Sequence, residues 1–167
     1  MPAAVAGLLL ATVATAHGEG DWNDFKVDNK NEAVAQQLAH TRKIISDIVL
    51  ARRPVTEWPD LELMRARDRL AHLAEEVDAM LDHFREDGIT IQFTDSLHEH
   101  PRAGQSVAAR HALETCIDLI DHMAALDGVE AFADELHEGG PAAYLFDLMD
   151  AYVDNMALYG RLVHHAH

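Results

Sequence analysis

Proline and glycine cut this sequence into helix-length pieces, and in each piece apolar residues recur every three or four positions. That spacing places them on one face of an α-helix. Val34, Leu38, Ile45 and Ile48 form such a stripe, predicting a first helix from near Asn31 to a stop at Pro54. Pro59 is expected at the first position of the second helix, where its missing N–H costs nothing. This helix should run to about Asp87, halt at Gly88, and face Leu63, Leu70, Val77, Met80 and Phe84 inward. Ser106 reads as the cap of a third helix ending at Asp127 before Gly128. A short helix, Val129 to Glu138, ends at Gly139-Gly140. Pro141 then begins a last helix that buries Leu145, Leu148, Tyr152, Met156, Tyr159 and Val163. Ile89 to Phe93 alternates apolar and polar residues, but a lone strand would have nothing to pair with, so it reads as a packed loop. The expected fold is an all-α bundle of about five helices, preceded by an apolar N-terminal helix or arm.

That N-terminal segment admits two readings. Ala3 to Ala16 is an apolar run of 14 residues, too short to cross a bilayer, so no transmembrane helix is expected. The run fits the core of a signal peptide, and Ala14-Thr15-Ala16 has the small-x-small form of a cleavage site. Cleavage there would make His17 the new N-terminus, whose free amine and imidazole can bind copper. Against export, no Lys or Arg precedes Lys26, whereas a signal peptide carries a basic n-region. The compartment stays open between the cytoplasm or an assembled particle and the periplasm. The organisation follows as residues 1–16 apolar segment, 17–30 polar connector with two glycines, and 31–167 a single helical domain.

Charge narrows the partners. Only 13 Lys and Arg stand against 29 Asp and Glu, a formal charge of -16 in 167 residues. Such a field repels phosphate backbones, so nucleic acid is not an expected partner. It suits a basic protein or cations. Cys116 is the only cysteine, which rules out an intrachain disulfide and a cysteine-rich zinc site. It shares a face with Leu113, Ile117 and Ile120 and reads as core.

The middle helices carry the candidate chemistry. His72 and Glu76 on the second, and Asp118 and His122 on the third, are each one helical turn apart, so either pair could share a cation. In a symmetric antiparallel hairpin about Leu97, residues whose numbers add to 194 lie level. His72 would then face His122, and Glu76 would face Asp118, a ligand set for zinc or a di-metal pair. The opposing expectation is that all four point away from the leucine stripes into water, beside Arg65 and Arg69. The Glu-x-x-His order of ferritin-like di-iron proteins is absent, and only His-x-x-Glu occurs, as at His72 to Glu75. Glu75 to Asp78 resembles half of the magnesium site of all-α nucleotide pyrophosphohydrolases, but its companion Glu-x-x-Glu occurs only as Glu135 to Glu138, just before two glycines.

No catalytic grouping or phosphate-binding glycine loop is legible. The leading expectation is therefore a non-enzymatic interaction subunit of a larger assembly, such as a virion or multi-subunit complex, with protein partners, an oligomeric state and no cofactor. The alternative is an exported metal-binding bundle holding zinc, iron or copper.

Overall fold

The computed structural model describes residues 22–50 and 58–165. The apolar segment Ala3 to Ala16, the first part of the connector (17–21, with His17) and the expected stop at Pro54 lie outside these residues. Five α-helices follow in order: α1 (Asp24–Val49), α2 (Leu61–Glu86), α3 (Pro101–Ala124), α4 (Val129–Glu138) and α5 (Pro141–His165). A 3₁₀ turn, Asp95–Glu99, precedes α3. No strand occurs among the described residues, and Ile89 and Ile91 pack on the core from a loop. No helix among them is long and apolar enough to cross a membrane.

Cross-helix contacts give the topology. The pairs Lys30–Glu76 and Arg67–Asp121 place α1 against α2 and α2 against α3, and Tyr159 lies over Gly104 between α3 and α5. In α1 and α3 the linked numbers rise together, with Asp28 bonded to Arg102 and Asn31 to Ser106, so these two helices are parallel. The four long helices thus run up, down, up, down, with α4 spanning the turn from α3 to α5.

The bundle is not square. α3 packs against α1, α2 and α5, while α1 and α5 scarcely approach each other. Composition explains this. Ala103, Gly104, Ser106, Ala108, Ala109 and Ala112 are all buried, so the first half of α3 is narrow and surrounded on several sides. A thin helix lets its neighbours come close, and α1 crosses the bundle diagonal to meet it. At Gly104 a Cβ would fall within the ring of Tyr159, so only glycine permits this crossing.

Several helix ends differ from expectation. Helix α1 starts at Asp24 rather than near Asn31, because the Asn23 side chain accepts the Lys26 N–H at 2.8 Å and caps it. Part of the expected polar connector is therefore helix, with Val27 and Asn31 buried. Pro59 lies outside α2, which is capped by Asp60, whose carboxylate accepts the Glu62 N–H at 2.7 Å. Ser106 is no cap. It lies inside α3, whose first residue is Pro101, and its hydroxyl donates to the Arg102 carbonyl at 2.9 Å. Helix α3 also stops at Ala124, three residues before Asp127. Helix α4 has the expected bounds, with Gly139 left-handed at its C-terminus. The inward stripes of α1 and α2 are buried as expected. In α5, Met156, Tyr159 and Val163 are buried, but Leu145, Leu148 and Tyr152 are only half-buried.

Candidate functional site

The four metal-candidate residues do not converge. The ion pairs Arg67–Asp121 and Asp78–Arg110, at 2.6 and 2.7 Å, join residues whose numbers add to 188, not 194. The connection is asymmetric because α3 begins at Pro101, so the register slips by more than a turn and a half and His72 does not lie level with His122. Each residue instead has its own surroundings. His72 is exposed in a cleft between α1 and α2, beside Asp68 and Arg69. Glu76 pairs with Lys30 at 3.0 Å. Asp118 is exposed. Desolvation first, and then the carboxylates of Glu114 and Asp121, hold its pKa above the usual value. The His122 ring meets Glu135 at 2.6 Å. No group of three or more His, Cys, Asp or Glu side chains placed to hold a metal occurs among the described residues.

Glu135 is a structural hinge-pin. Besides His122, it accepts the N–H of Ala142 at 3.0 Å, tying the end of α3 and the start of α5 to α4. The bond to His122, then that to Ala142, holds its carboxyl pKa down against the opposing pull of desolvation. These bonds also occupy the first carboxylate of the Glu135-to-Glu138 pair. His111, Phe93 and Tyr152 form a triangle of rings, with His111 5.1 Å from Phe93 and 5.0 Å from Tyr152 and the latter two 6.0 Å apart. Burial depresses the pKa of His111. Cys116 is core, and burial pushes its thiol up to about 12, so it is not a nucleophile at neutral pH.

The distinctive feature is the open fourth side of the bundle. Between α1 and α5 lie two clefts, of about 570 Å³ and about 370 Å³, which share Ala35 and Val153 and so form one groove. Its α1 wall carries Asp28, Glu32, Ala35, Ala39 and Arg42. These are spaced by three and four residues and so fall on one helix face. The α5 wall runs from Met149 to His164 in the opposite direction. Arg42 closes one end. Its guanidinium makes two bonds to Asp150, at 2.9 and 3.0 Å, and lies over the Phe146 ring at 4.7 Å.

The floor is organised by two amides, Asn31 buried and Gln105 half-buried. Asn31 donates to the Ser106 hydroxyl at 3.1 Å and to the Gln105 carbonyl oxygen at 3.3 Å, and Gln105 donates to the Met156 carbonyl at 3.2 Å. Three helices are linked across the groove by this chain. At the same end Arg102 is bonded twice to Asp28, at 2.9 and 3.0 Å. Among the described residues, Glu32 and Asp154 on the two rims have no ion-pair partner. Sequence reasoning missed these residues because it placed Asp28 in a connector and searched the middle helices. The signal that could have found the groove is small residues at helical spacing on two helices, Ala35 with Ala39 and Ala157 with Gly160.

Fold and groove together define an acidic all-α bundle with one side left open. No protein-family model matches the chain, and no curated protein and no solved structure matches it.

Proposed function

We propose that this chain is a non-enzymatic interaction subunit of a larger protein assembly, and that the α1–α5 side is where it meets a partner. One observation carries the reading: the bundle leaves a long groove with apolar and small residues between two well-formed helices, with acidic rims. Val153 and Met156 line it, yet Ala35, Ala39 and Ala157 on its walls stay exposed to solvent. A second protein surface would cover that apolar area and gain from doing so. The high negative charge supplies long-range attraction for a basic partner and speeds encounter.

The test is the native mass, intact mass and metal content of the protein isolated from its source. The expected result is a stoichiometric complex with another protein. A monomer whose mass begins at His17, carrying one equivalent of metal, would overturn the reading in favour of an exported metal-binding bundle.

A further inference from the structure

Resting on that reading, we propose that the groove between α1 and α5 is a docking site for a basic amphipathic α-helix of a partner protein. The dimensions suit a helix. From Asp28 to Arg42 the α1 wall spans about four turns, or roughly 21 Å at 1.5 Å per residue. The walls present the exposed Ala35, Ala39 and Ala157, which let another helix axis approach toward the short end of the usual 8–10 Å range. Such a helix would pack against α1 and α5 together and cover the open side of the bundle.

Charge selects the partner. Asp28 and Asp150 are already neutralised by Arg102 and Arg42, which leaves Glu32 and Asp154 on opposite rims. The Arg42–Asp150 bridge fixes the level of the two antiparallel walls. Glu32, ten residues along α1 from Arg42, lies level with Gly160, six residues along α5 from Asp154. The two carboxylates are thus offset by about 9 Å along the groove. On a helix lying in the groove, residues i and i+6 are about 9 Å apart along the axis and about 120° apart around it. They flank an apolar stripe on its two sides. The matching ligand therefore has an Ala- and Leu-rich face bordered by Lys or Arg at i and i+6. Both carboxylates lie between the Arg42–Asp150 bridge and the His164 end, so the ligand's basic residues sit within the length of the groove. A second copy of this chain, at -16, is a poor electrostatic match.

The experiment titrates the full chain against a fluorescent 18-residue peptide of that design, read by anisotropy at physiological salt. The expected result is saturable binding that weakens about tenfold or more when Glu32→Lys and Asp154→Lys are combined. A peptide with Glu in place of its two Lys should then prefer the double variant over the unmodified chain. Ala157 is exposed, so Ala157→Trp should fill the groove and abolish binding without lowering the thermal midpoint. Binding indifferent to Ala157→Trp, or to charge reversal, overturns the proposal. So does binding seen only after residues 2–16 are removed, which would make that segment the occupant, or a dimer that excludes the peptide. A native complex that survives Ala157→Trp would move the partner off this groove while leaving the interaction reading intact. A metal-loaded monomer starting at His17 would remove the reading itself.

Discussion

Two histidines of similar appearance in the sequence have different roles. Both His72 and His122 lie among polar residues, and surface histidines of this kind are expected to be replaceable at little cost. His72 meets that description. His122 does not, because its bond to Glu135 belongs to the junction that sets α4 between α3 and α5. We expect His72→Ala to leave the thermal midpoint within about 1 °C and His122→Ala to lower it by about 2–4 °C. Equal midpoints for the two variants would contradict the junction. His111 offers a pH test. Burial among Phe93 and Tyr152 lowers its pKa below the ordinary 6.5, so below that pH the unfolded chain binds the proton more readily than the folded one. Its contribution is complete above about pH 6.5 and is lost as the pH falls through its lowered folded value. His111→Phe keeps a stacked ring and removes the proton. Urea unfolding at pH 5 and pH 7.5 should show a smaller difference in stability for this variant than for the unmodified protein.

At the scale of elements, α3 decides the architecture. Most helices of a bundle bury one stripe, but the first half of α3, Ala103 to Ala112, buries alanine, glycine and serine on several sides, so it serves as the axis for the other three long helices. The polar link between α1 and α3 runs through Asn31, 1% exposed, and Ser106, fully buried. Removing one partner leaves the other's polar atoms without their bond in a dry site. Asn31→Ala should therefore cost about 1–3 kcal/mol in urea denaturation. Asn31→Ala and Ser106→Ala together should cost less than the sum of the single changes. Strict additivity would show that the two residues do not act as a pair. The same residues explain why the start of α3 was misread. Serine before an apolar run is a good cap signal, yet here its hydroxyl bonds back to the Arg102 carbonyl inside a helix already begun at Pro101.

At the scale of the whole molecule, α1 to α5 and the loop before α3 supply the core among the described residues, with Trp22 and Trp58 packed against it. A chain lacking residues 2–16 should remain folded with its helical circular-dichroism signature. Loss of that signature would mean that the core needs the segment. Much of the fold was legible because it rests on local chemistry. The stripe Leu63, Leu70, Val77, Met80 and Phe84 specifies a helix and its buried face without reference to any neighbour. The bounds of α4 follow from Val129 and from glycines whose backbone freedom is needed where a helix turns left-handed. What a sequence cannot supply is the level at which two helices meet. The register of α2 against α3 depends on where an irregular connection ends, and a slip of six residues was enough to separate His72 from His122. The open side has the same origin. Whether Ala35 and Gly160 line a groove or a packed seam depends on how far α1 swings toward the narrow α3. Side-chain volume on a third helix sets that distance, so only tertiary packing could decide it.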